Sequence, residues 1–177
     1  MPLFVAVGLT IMIAVAISWV WVSRVRVTAK RVPVMTNRIA FPGGLRLHEP
    51  ELALARLDEP EEIAIPFEKA TLVIAYPLST PASVEIVASV AHGFTRAELV
   101  RAICEEYAHV YEAEAGTSAI EPEVSEERKR NRTDGAYGIW GYDLQDLVLT
   151  ALRWTRRPDG TVMIDLHVES WGLRLTP

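Results

Sequence analysis

The apolar pattern of the chain begins with a run that has no polar side. Leu3 to Val22 is 20 residues long and is softened only by Gly8, Thr10 and Ser18. At about 1.5 Å rise per residue, a helix of that length spans roughly 30 Å, the thickness of a bilayer's hydrocarbon. A helix lying on a soluble core would show polar positions at every turn. Trp19 and Trp21 stand at the far end of the run, where indole rings favour the headgroup level, and Arg24, Arg26, Lys30 and Arg31 follow. The pattern predicts a single-pass anchor over residues 1–23. The cationic flank predicts a short N-terminus outside and the C-terminal domain in the cytoplasm. A cleaved signal peptide, with Ala14-Val15-Ala16 as the cleavage site, is the competing reading. It lacks a basic leading region and would leave a greasy new terminus.

The pattern then changes. Residues 24–60 read as a basic juxtamembrane segment and an extended linker. Pro33, Pro42, Pro50 and Pro60 recur too closely for a long helix, and Phe41-Pro42-Gly43-Gly44 reads as a turn. Leu45, Leu47, Leu52, Leu54 and Leu57 alternate with polar residues and predict short strands. From residue 61 a soluble domain is expected. Residues 62–67, 71–76 and 84–90 have strand character, the last two as antiparallel neighbours across a proline-rich loop. Thr95-Arg-Ala-Glu98 is a capping box, with Phe94 and Leu99 at hydrophobic-staple spacing. Leu99, Ile103, Tyr107 and Val110 recur at helical steps, so an amphipathic helix is predicted from about residue 95 to 114. Residues 117–135 are highly charged with little to bury and predict a mobile loop.

Tyr137-Gly-Ile139-Trp140-Gly-Tyr142 concentrates three aromatics and two glycines in six residues. Asp143-Leu-Gln-Asp146 has the form of a cap on a short helical turn, and Asp159-Gly160 is a hairpin signal between two strand-like runs. Leu144, Leu147, Val148, Ala151 and Leu152 also fit a helix, which leaves the type of the element over 142–154 open. The fold class expected is α+β: an N-terminal transmembrane helix, then an antiparallel sheet of five to seven strands packed by one main helix.

Charge narrows the partners. Residues 1–31 hold four of the 18 Lys and Arg and none of the 23 Asp and Glu, so the remainder carries a net charge of −9. Phosphate backbones repel such a domain, and no nucleic-acid partner is expected. The Arg128–Arg132 run belongs to a solvated loop with acids just upstream. Asn131-Arg132-Thr133 is a glycosylation sequon that matters only if the orientation is reversed.

Candidate chemistry is sparse. One cysteine, Cys104, excludes internal disulfides and multi-cysteine zinc sites, and its place on the apolar side of the helix makes it a small hydrophobe. Glu106-x-x-His109 lacks the second motif and the further glutamates of a carboxylate di-metal site. No metal or cofactor is expected. Asp143 and Asp146 are the weak catalytic candidates, since acids beside apolar rings can have raised pKa values. Tyr137, Ile139, Trp140 and Tyr142 are the candidate binding surface. The sequence reads as a non-catalytic, membrane-tethered interaction module, an accessory or assembly subunit beside another membrane-associated protein. The alternatives are a membrane-anchored hydrolase using Asp143 or Asp146, or a lipid- or small-ligand-binding domain at the membrane surface.

Overall fold

A computed structural model of the chain describes residues 34–123 and 131–170. The chain divides into two units, Met1–Arg31 and Val32–Pro177, and all described residues belong to the second. The predicted anchor and its interfacial residues Trp19, Trp21, Arg24, Arg26, Lys30 and Arg31 lie outside the described residues. Among those described, no helix is long and apolar enough to cross a membrane.

The second unit is an α+β fold built on a five-stranded mixed sheet. Its strands are β1 (Met35–Arg46), β3 (Lys69–Ile74), β4 (Ala82–Val87), β6 (Leu147–Arg156) and β7 (Val162–Ser170), in the order β1-β6-β7-β3-β4. A separate antiparallel pair joins β2 (Ile63–Ile65) to β5 (Phe94–Thr95). Two helices complete the unit: α1 (Pro50–Ala55) and α2 (Arg96–Thr117).

The local signals behind α2 operate as expected. The Thr95 hydroxyl accepts from the Glu98 N–H at 3.1 Å, and the Glu98 carboxylate accepts from the Thr95 N–H at 2.9 Å. Two orphan donors of the first turn are thereby satisfied. The apolar stripe of α2 buries Leu99, Val100, Ile103, Cys104, Tyr107 and Val110 in one core with Leu72, Ile74, Leu149, Leu152 and Ile164. At about 1.5–3 kcal/mol for each large side chain removed from water, this stripe outweighs helix propensity in holding α2 to the sheet. The Asp159-Gly160 signal also holds. β6 and β7 form an antiparallel hairpin, closed by the Arg157 N–H donating to the Thr161 carbonyl at 2.8 Å.

Three readings need correction. The sheet is mixed rather than antiparallel, because β3 runs parallel to β7, with Leu72 opposite Ile164. Residues 35–46, read within a linker, supply edge strand β1, paired antiparallel with β6 from Met35↔Arg156 to Arg46↔Val148. The turn signal at Phe41–Gly44 is a shift of register inside that strand, between Ala40 and Leu45. Leu52 and Leu54 belong to helix α1 and not to a strand, since Pro50 at its first turn presets helical φ. The element left open over 142–154 is strand β6, preceded by a single 3-10 turn over Leu144–Asp146.

The sheet's two ends differ. β1 begins at one end, beside the 157–161 hairpin loop. At the other end lie the finish of β1, β3 and β7 and the start of β4 and β6. The candidate site occupies this second end.

Candidate functional site: an aromatic corner held by a buried glutamate

Residues 133–142 pass over the end of β3 and dock against the 76–80 loop. Leu78 and Ile139 form an isolated antiparallel bridge. The Trp140 N–H donates to the Pro77 carbonyl at 3.1 Å. The N–H groups of Ser79 and Thr80 both donate to the Tyr137 carbonyl at 3.0 Å, and the Ser79 hydroxyl donates to the Gly138 carbonyl at 2.8 Å.

The group that shapes this corner is Glu114, in the last turn of α2. Its side chain is completely buried. Its carboxylate accepts from the Gly135 N–H at 2.9 Å, the Tyr137 N–H at 2.7 Å, the Gly138 N–H at 3.1 Å and the Thr133 hydroxyl. Burial pushes this carboxyl upward, but the bonds from Thr133, Tyr137, Gly135 and Gly138 outweigh it and hold the group below the usual range. An ionised carboxylate enclosed by four donors has no proton to exchange with a substrate, so its role is to anchor the loop. Two glycines make the cradle possible. A Cβ on Gly135 would lie 2.7 Å from the Glu114 Cδ, and Gly138 takes a φ of +61°.

A second carboxylate closes the loop from outside. Asp134 Oδ1 accepts from the Ser118 hydroxyl at 2.9 Å and from the N–H groups of Ala119 and Ile120 at 3.0 and 3.1 Å. Chiefly through the Ser118 bond, its carboxyl is held below the ordinary range. Asn131 ties the described parts of the charged loop together: its amide oxygen accepts from the Glu123 N–H, and its amide nitrogen donates to the Glu121 carbonyl. The sequon residues thus have structural partners in Glu121, Glu123 and Glu114.

Within this frame the four candidate binding residues separate. Ile139 is fully buried and belongs to the core, so it supports the corner from beneath. Tyr137 and Tyr142 are half-buried. Trp140 is 42% exposed, the one exposed aromatic ring among the described residues. It meets Tyr76 edge-on, with centroids 5.6 Å apart and planes at 84°, and Tyr142 lies 6.3 Å from the same Tyr76 ring. Two phenols brace the corner from the helix and loop: Tyr107 donates to the Tyr76 carbonyl at 2.8 Å, and Tyr111 to the Tyr142 carbonyl at 2.9 Å. Beside it an open cleft of about 390 Å³ is bounded by Ser79, Thr80, Ile120, Arg132, Asp134 and Tyr137.

Asp143 and Asp146 bracket the 3-10 turn that leads into β6. The Asp143 N–H donates to the Asp146 carboxylate at 3.3 Å, and the Asp146 N–H to the Asp143 carbonyl at 3.0 Å. Both side chains are half-buried. Cys104 is buried on the apolar stripe, and burial, with a smaller push from the Glu105 charge, raises its thiol to about 11. Among the described residues, no three His, Cys, Asp or Glu side chains are grouped to hold a metal ion.

Glu114, Asp134 and Tyr76 are the residues that sequence reasoning missed. Glutamate in a helix's last turn is an unfavourable place for an anion, and that misfit next to a Thr-x-Gly-x-x-Gly segment, Thr133 to Gly138, is the signal that was available. No family model, no curated protein and no solved structure matches this chain.

Proposed function

We propose that the chain is a non-catalytic, membrane-tethered interaction module, an accessory or assembly subunit that presents the Trp140 corner to another membrane-associated protein. The observation that carries this reading is Trp140 itself: a large ring left in solvent on a backbone fixed by Glu114, Pro77 and Tyr76. Rigid exposed aromatics are favoured interface anchors because binding orders little that is not already ordered. The 20-residue apolar run with its cationic flank supports the tether.

The test is gentle-detergent purification of the full-length chain from its native membrane, followed by native mass determination, for wild type and Trp140→Ala. The expected result is a stoichiometric complex with wild type that is lost with the variant, while both chains keep the same melting temperature. A wild-type chain that runs alone at 19.7 kDa or as a homo-oligomer overturns the reading.

A further inference from the structure

We infer that the partner segment docking on Trp140 is cationic, an arginine- or lysine-bearing stretch of another protein; this rests on the interaction reading above. The argument is one of charge around an anchor. Asp143 is three residues from Trp140, so their Cα atoms are at most about 11 Å apart even in a fully extended chain. Between them the backbone doubles back, with the Tyr142 N–H donating to the Trp140 carbonyl at 3.0 Å. Asp146 closes the same seven-residue stretch. The register of the sheet adds further acids to this end. Ser170 lies opposite Leu147, which brings Glu169 next to the Asp146 turn, and the Leu47 N–H donates to the Leu147 carbonyl at 3.2 Å, which brings Glu49 alongside. Against Glu49, Asp134, Asp143, Asp146 and Glu169 stand only Arg46 and Arg132, and Arg46 already has Glu49 at 3.4 Å.

The corner therefore offers an indole face inside an anionic rim. A guanidinium or ammonium group satisfies both at once, through cation–π contact with the ring and through the surrounding carboxylates. An acidic partner would meet the rim as like charge, and a purely apolar one would strip water from carboxylates without replacing it.

The experiment uses the full-length chain in its native membrane with a photo-crosslinking residue at Gln145, an exposed position in the 3-10 turn. Crosslinked peptides are sequenced, and complex yield is read against salt for wild type, Trp140→Ala, and Asp146→Asn combined with Glu169→Gln. The expected result is capture of Arg- or Lys-bearing segments. Yield should fall about fivefold between 50 and 300 mM salt as screening shortens, and by a comparable factor in the double charge variant at low salt. Capture of acidic or uncharged segments, or a yield indifferent to salt and to the charge variant, overturns the inference. In that case loss of the complex with Trp140→Ala still leaves the interaction reading standing. A complex that survives Trp140→Ala overturns both. Equal melting temperatures across the variants separate lost binding from lost folding.

Discussion

Glu114 is an anion at the carboxyl end of a helix, where the dipole opposes it, and it is buried as well. Four donors reverse the balance. Replacing it by Gln puts an NH2 group among N–H donors and breaks at least one of those bonds. We expect Glu114→Gln to cost about 2 kcal/mol at pH 7, on the scale of a buried donor left unsatisfied, seen in urea unfolding. The pH dependence has a definite sign. The folded carboxyl lies below its unfolded value of about 4.3, so its stabilisation is complete above that value and disappears as pH falls through the folded one. The gap between wild type and Glu114→Gln is expected to shrink steadily below about pH 4. A gap that stays constant down to pH 3 contradicts the ionised anchor. Gly135→Ala attacks the same cradle sterically and is expected to cost about 2 kcal/mol, because the new Cβ meets Glu114 and the helix backbone at 2.7–2.8 Å. Cys104 makes the opposite case. Burial and a thiol raised to about 11 predict that a disulfide reagent at pH 8 labels it only as fast as the domain opens. Labelling at the rate of a free thiol would show that the helix stripe is not closed.

At the scale of elements, α2 depends on its cap. Thr95→Ala removes the acceptor for the Glu98 N–H and is expected to cost about 1 kcal/mol, a fall of about 2–4 °C in melting temperature. Glu98 does more than cap, since it also accepts from the Ser89 N–H at 2.8 Å and so ties the segment after β4 to the helix start. The elements readable in sequence are those whose cause is local. The α2 stripe and box, the β3–β4 pair and the Asp159-Gly160 hairpin each declare themselves within a few residues. β1 does not, because its partner is more than a hundred residues away and its one local signal, Pro42-Gly43-Gly44, marks a bend within the strand rather than its end. The parallel step from β3 to β7 is equally silent, since both strands look the same from either neighbour. At the candidate site, the aromatic residues were legible by composition. The division between buried Ile139 and exposed Trp140 was not, because it is set by the bridge from Ile139 to Leu78.

For the whole molecule the open question is which side of the membrane holds the acidic domain. The cationic flank places it in the cytoplasm. In sealed vesicles exposing the cytoplasmic face, protease is expected to remove the C-terminal domain, and in vesicles of opposite sidedness to leave it. The sequon supplies a second readout: in the reverse orientation Asn131 would be open to glycan addition before folding. A glycosylated chain would also have lost the amide that bridges Glu121 and Glu123.

The strand order carries a consequence for biosynthesis. β6 and β7, the strands that join the β1 edge to the β3–β4 pair, are the last described elements to be translated. Until residue 170 has been made, β1 has no partner, β3 is open along its β7 side, and the stripe of α2 has only β3 and β4 to rest on. The ribosome thus releases a chain with its apolar strands uncovered, and the sheet assembles only after release, all at once. A premature stop anywhere before the final hairpin leaves no smaller version of this fold to fall back on, so such fragments are substrates for degradation rather than for assembly.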